Sequence, residues 1–520
     1  MADNKEKLFS DFTAPSAQEW REKIEVDLKG ADYQKKMVWR TNEGFSVEPF
    51  YRKEDVDQLA TVNALPGEFP YVRGNKAASN EWHVRQDIKC ECPKAANEKA
   101  LDILNKGVDS IGFTVPAKEL SAEYIATLLD GIQAECVELN FQTCQCQSVE
   151  LAKILVAYFQ EKGYDPAKIE GSISFDPIGK MITKGKDTTD KLAYAKELVE
   201  ILAAYPKFQA IAVNAFALTN AGAYSYQDLG YALAWGNEYM AQLTEAGVAP
   251  EVAAQNIKFN LGINGVYFME IAKIRAARML WSQIVSQYTA CKESAKMHIC
   301  AVTTTYNQTV FDSYVNMLRS QTEAMSAALG GVDSIVVVPF DAPYETPTEF
   351  AERIARNQQL LLKDECHFDR MVDVAGGSYF IEQLTTDLDR YGSEDAIDFA
   401  VTVHKTLAVE AYRESVNMAK ERGAFGVYNF EKEAGNPMIS RILEAAPELE
   451  AEMKKYGRRN IAMLTIAPTG TTSLMSQTTS GIEPVFRPVY KRRRKINPSD
   501  KEQTASFVDE TGEKFIEYYV

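Results

Sequence analysis

The 520-residue sequence has no cysteine beyond Cys366, no tryptophan beyond Trp281 and only four histidines, His83, His298, His367 and His404. Its eight cysteines are too few for a disulfide scaffold. No run approaches the ~18 consecutive apolar residues that a membrane span needs, which speaks against a membrane protein. Positive charge is also short: 57 basic against 73 acidic residues give a net charge of −16. A general nucleic-acid-binding surface needs clustered cations, so that class is set aside. The first thirty residues are charged throughout, with neither the apolar core of a secretory signal nor the acid-poor, Arg-rich character of a transit peptide. A cytoplasmic protein is the expectation.

What is present has a clear order. Residues 1–100 read as an extended N-terminal arm, with Trp20, Ile24 and Leu28 at helical spacing followed by Gly- and Pro-rich segments. From Val108 onward, eight β-branched runs begin at Val108, Cys136, Ile169, Gln209, Ile257, His298, Ser334 and Arg370, with starts 28 to 48 residues apart. That spacing fits a strand, a loop and a helix per unit. The predicted fold class is therefore α/β, a (β/α)8 TIM barrel over residues 101–385. Thr346, Pro347 and Glu349 predict a helix start after the seventh run. Phe268–Tyr288 predicts an outer helix with Ile271, Ile274, Arg275, Arg278 and Trp281. Residues 388–520 read as an α/β C-terminal fragment: one long helix ended by Gly423, a second helical stretch over Ser440–Tyr456, then the strand IAMLTIA.

Few residues suggest chemistry. Thr469, Gly470, Thr471, Thr472 and Ser473 follow that strand directly, and their small side chains, amides and hydroxyls suit a phosphate cradle or an ordinary polar turn. The cationic run Lys491–Lys495 is either a solvated stretch or a contact for phosphate or an acidic surface. The pairs Cys90/Cys92 and Cys144/Cys146 lack zinc-site spacing and read as reduced thiols. Asp373 lies near the end of the eighth run, either as a functional group or as a structural hydrogen-bonding one.

Residues 1 to about 385 resemble the small subunits of adenosylcobalamin-dependent methylmalonyl-CoA mutases. The resemblance rests on EWREKIEVDLKGADYQKKMVWRTNEGFSVEPFY, PYVRG, Arg85-Gln86, GINGVYFMEIAKIRAARMLW, FAERIARNQQLLL and VAGGSYFIEQL. It implies a subunit of an isomerase that pairs with a large catalytic subunit as a heterodimer. Adenosylcobalamin and the acyl-CoA substrate are then expected on that partner. The family's catalytic Tyr-His pair is replaced by Phe216 and Ala217 in NAFALTNAGA, the coenzyme-A stretch before Arg85 by GNKAASNEWHV, and no DxHxxG cobalamin motif occurs. The expectation is a chain with no catalytic residues and no metal site of its own.

From about residue 388 the sequence instead resembles adenosylcobalamin-dependent (class II) ribonucleotide reductases, through LDRYGSEDAIDF, EAYRESVNMAKERGAF, RRNIAMLTIAPTGTTSLMSQTTSGIEPVF and YKRR. That resemblance implies substrate-phosphate binding by Thr469–Ser473, without the reductase's active-site Asn, Cys and Glu. A ribonucleotide-binding fragment and a chimeric reading frame without its own activity are the alternatives.

Overall fold

The computed structural model describes residues 15–59, 61–185, 187–391, 394–434 and 436–460, and three strands within the last thirty residues. The chain divides into two compact units, Met1–Ala396 and Ile397–Val520.

The first unit holds a closed barrel of eight parallel strands: β1 (His83–Lys89), β2 (Ser110–Thr114), β3 (Glu138–Gln142), β4 (Glu170–Phe175), β5 (Lys207–Val213), β6 (Ile257–Ile263), β7 (His298–Thr303) and β8 (Ser334–Val336). β8 pairs with both β7 and β1, with Ser334 opposite Cys300 on one side and His83 on the other. The α/β barrel is thus as predicted, but two strand assignments change. The first strand lies inside the segment read as arm, and the run from Arg370 is a turn rather than a strand.

The missed first strand has its cause in the barrel's interior. Along β2, β3 and β6, Ile111, Phe113, Leu139, Phe141, Phe259 and Leu261 belong to the hydrophobic core under the helices. The alternate positions, Ser110, Glu138, Asn140, Lys258 and Asn260, are buried polar residues of the lumen. A barrel interior of this kind is usually filled by branched apolar side chains. Here β1, reading HVRQDIK, shows no apolar run at all.

Five helices of the first unit and its border matter below: α1 (Pro93–Leu104), α2 (Tyr267–Ser286), α3 (Glu349–Leu360), α4 (Tyr379–Tyr391) and α5 (Glu394–Arg422). α2 is buried without a break from Met269 to Ser282, more than an amphipathic outer helix requires. The arm and α4 cover its outer side. Arg278 donates to the carbonyls of Tyr71 (3.0 Å), Val72 (3.4 Å) and Gly331 (3.2 Å), and Arg275 pairs with Asp373 and Glu382. Asp373 therefore has the structural role; its φ of 46° and its pairing belong to this fastening, away from the barrel strands. The cap of α3 is Thr348 rather than Thr346, because buried Asp341 accepts from both its amide (2.8 Å) and its hydroxyl (2.7 Å).

The second unit has its own small core. Val409, Tyr412 and Val416 of α5 pack with Ile439 and Ile442 of α6 (Pro437–Ala445) and Leu449 and Met453 of α7 (Glu448–Tyr456). Pro447 separates the two helices that the sequence suggested as one. Arg458 stacks over Tyr412 and Phe425 and bonds both oxygens of Glu433. Further on, β9 (Lys491–Lys495), β10 (Phe507–Val508) and β11 (Lys514–Tyr519) form an antiparallel sheet with β11 central, and Arg493 is opposite Glu517.

Candidate functional site: the mouth of the barrel

Barrel enzymes place their chemistry at the C-terminal ends of the strands. In this chain that end opens into a cavity of about 310 Å³. Arg85 and Asp87 of β1, Asn140 of β3, Ser174 of β4, Asn260 of β6 and Cys300 of β7 line it, as do Asn214 just past β5 and Arg356 and Gln359 of α3. Polar groups pair across it: Arg85 Nε donates to Asp87 Oδ1 (2.7 Å), Asn260 Nδ2 to Asn214 Oδ1 (2.8 Å), and Arg85 Nη1 lies 3.8 Å from Cys300 Sγ.

Below the cavity the lumen is closed. Lys258 Nζ, fully buried, donates to Glu138 Oε1 (2.6 Å) and Asn140 Oδ1 (2.9 Å). Ser172 Oγ donates to Asn140 Oδ1 (2.6 Å), and Ser110 donates to Glu138. The network ties β3 to β6 across the barrel axis. Burial opposes ionisation of Glu138, but Lys258, followed by His83 and Arg85, outweighs it and holds the carboxyl well below the usual range.

Asp176, directly after β4, is a second buried carboxyl near this end. Burial pushes it up to about 6, against donors from Gly179 N (2.9 Å), Tyr239 Oη (2.7 Å), Trp235 Nε1 (3.0 Å) and Asn214 Nδ2 (2.7 Å). It caps the helix Pro177–Lys184 and fixes Asn214 at the cavity wall.

Among the described residues, no histidine lines the mouth. His83 and His298 begin β1 and β7, at the opposite end of the barrel. Phe216 does line it, and Ala217 follows in the short helix after β5. The segment GNKAASNEWHV is stitched to the barrel's other end through Asn75 to Met297 O (2.7 Å) and Asn80 to Ala328 O (2.8 Å). All eight cysteines are free thiols, and among the described residues no His, Cys, Asp or Glu group is placed to hold a metal. Thr469, Gly470, Thr471, Thr472 and Ser473 lie outside the described residues. Of the cavity's polar residues, only Arg85 and Gln86 stood out in the sequence. The signal was present as alternate Ser, Asn and Gln residues near the strand ends.

The family profile described as methylmalonyl-CoA mutase matches residues 40–119 and 120–405. The chain belongs to the methylmalonyl-CoA mutase family. It is 51% identical over 391 residues to the methylmalonyl-CoA mutase small subunit of Porphyromonas gingivalis, a match covering 75% of this chain and 63% of that protein. The small subunits of Streptomyces virginiae (31% identical) and Propionibacterium freudenreichii subsp. shermanii (28%) each match over 73% of this chain and 63% and 61% of their own lengths. The chain thus spans somewhat under two thirds of these relatives. A second profile, described as ribonucleotide reductase, barrel domain, matches residues 382–509 and overlaps the mutase match.

The other end of the barrel yields a pH prediction. His83 faces Asp109 (3.6 Å) and Glu170 (3.5 Å). Burial lowers its basicity, yet the two facing carboxylates prevail and push it up to about 10 from the usual 6.5. A folded-state value above the unfolded one stabilises fully below pH 6.5, and the contribution disappears as pH rises through 10. The imidazole is 37% exposed, so its worth is discounted to the order of 1 kcal/mol. His83→Gln should therefore lower the urea midpoint at pH 6 and leave it nearly unchanged above pH 10. An equal loss at both pH values would refute the ion-pair assignment.

Proposed function

We propose that this chain is a non-catalytic small subunit of an adenosylcobalamin-dependent methylmalonyl-CoA mutase, acting beside a large subunit that interconverts methylmalonyl-CoA and succinyl-CoA. The observation that carries this reading is the barrel mouth. Phe216 lines it and Ala217 adjoins it where the resembling catalytic subunits carry Tyr and His, so no imidazole is available to hydrogen-bond a thioester. The Lys258–Glu138 network closing the lumen supports the same reading, since no ligand tail can thread the axis past it.

Among the described residues, none is placed to offer the coenzyme an axial imidazole. The histidines that begin β1 and β7 face carboxylates at the far end of the barrel, and none of the cavity-lining side chains offers a lower axial ligand. On this reading adenosylcobalamin and acyl-CoA belong to the partner.

A second reading draws on the match to the reductase profile: a ribonucleotide-binding fragment using Thr469–Ser473, joined to the mutase portion as a chimera. Leu384 and Leu388 pack in the core of the first unit, so a junction between two ancestries belongs C-terminal to them. Co-expression with a mutase large subunit should give a 1:1 heterodimer on size exclusion, and the isolated chain should show no mutase turnover. A chain that remains monomeric beside the large subunit, yet binds ribonucleoside phosphates in equilibrium dialysis, would favour the second reading.

A further inference from the structure

Buried guanidinium groups must find acceptors, because an unpaired buried charge is costly. α2 shows how this chain does it without a carboxylate: Arg278 is satisfied by three backbone carbonyls. Arg356 is different. It is only 7% exposed and lines the mouth cavity, yet its one hydrogen bond runs from Nη1 to Gln86 Oε1 (3.2 Å). Its Nε has no hydrogen-bond partner, and no carboxylate of the described residues lies within ion-pair distance. Glu352, one turn earlier on α3, is turned away to Lys99 of α1 (2.7 Å) and Gln86 (3.2 Å).

One turn further along the same helix, at the i+3 position, Gln359 is 1% exposed and also lines the cavity, and its Oε1 has no partner. The other arginine of the mouth, Arg85, is already paired with Asp87. The unmet demand for an acceptor is thus local to Arg356, with the Gln359 amide, whose own unpartnered atom is its oxygen, beside it on α3 at a cavity of about 310 Å³.

We propose that the barrel mouth is a binding site for a small carboxylate, held by Arg356 and Gln359. A planar carboxylate matches the guanidinium fork with two parallel hydrogen bonds, and the Gln359 amide rotates to donate to the same anion. Val302, Val337 and Val338 supply an apolar wall for a short aliphatic tail. The site lies in the family's barrel but needs none of its catalytic groups, so it stands whether or not the chain pairs with a large subunit.

Isothermal titration of the full chain with propionate, with propionamide and chloride at matched ionic strength as controls, tests this directly. Propionate should bind in the millimolar range or tighter and propionamide at least tenfold more weakly. Arg356→Gln should weaken propionate binding tenfold or more. Gln359→Leu, which keeps the volume and leaves the charge untouched, should weaken it several-fold and carries the test if Arg356→Gln fails to fold. Equal affinity for propionate and propionamide, competition by chloride at equal concentration, or unchanged binding in the folded variants would each overturn the proposal.

Discussion

Lys258→Met is expected to lower the stability of the barrel unit by about 3–5 kcal/mol, the usual cost of leaving one partner of a buried ion pair uncompensated. Lys258 is 0% exposed and Glu138 4%, so water cannot take the place of the lost ammonium. The methionine fills similar volume, which confines the effect to electrostatics. Lys258→Met combined with Glu138→Leu should recover most of the loss, because replacing both ions by apolar groups of similar size is often neutral. Urea unfolding of the single and double variants gives the coupling energy directly. The pH dependence is a second readout. The carboxyl of Glu138 is held below its usual value of 4.5, so the pair stabilises above that pH and its contribution is lost as the pH falls through the lower folded value. The double variant should therefore have a shallower acid limb. A single-variant loss below about 1 kcal/mol would mean that water reaches the lumen and that the axis is not closed.

The same polar lumen explains what the sequence made legible and what it concealed. Seven of the eight runs read as strands are strands, because their outward residues, such as Ile211 and Val213 of β5 or Phe259 and Leu261 of β6, are apolar whatever faces inward. β1 escaped because His83, Arg85, Gln86, Asp87 and Lys89 leave only Val84 and Ile88 to mark it as buried. The Arg370 run misled in the opposite way. Val372, Val374 and the glycines imitate a strand, but Asp373 is drawn out of extended geometry by its pairing with Arg275, nearly a hundred residues earlier. Pairings of that range are invisible to local pattern. That Phe216 and Ala217 carry neither a phenol nor an imidazole was legible, since it is a matter of identity alone. The unpaired donor of Arg356 was not, because it depends on where Glu352 turns.

Arg275→Ala is expected to be as damaging as the loss of Lys258, and in a part of the molecule where the two family matches meet. Arg275 is fully buried; its guanidinium pairs with Asp373 and with Glu382 Oε2 (2.9 Å), and Nε donates to Thr385 Oγ1 (3.2 Å). Arg73 of the arm reaches the same acids, at 3.1 Å to Glu382 Oε1 and 3.7 Å to Asp373 Oδ2. Two guanidiniums and two carboxylates thus join the arm, α2, the Asp373 turn and α4. Removing Arg275 leaves two buried acids to one partly exposed arginine, at a cost of about 3–5 kcal/mol. Arg275→Lys keeps the charge but not the fork that reaches three acceptors, so it should recover only part of that loss. Because the arm loses a shared anchor, limited proteolysis of Arg275→Ala should open new cuts between residues 57 and 75 while the barrel fragment persists. Glu382 is also the first residue of the reductase match, yet its carboxylate completes a cluster built by mutase-matching residues. Glu382→Gln should therefore destabilise the barrel unit rather than the second unit. Equal sensitivity of both units to this change would contradict the assignment of α4 to the barrel.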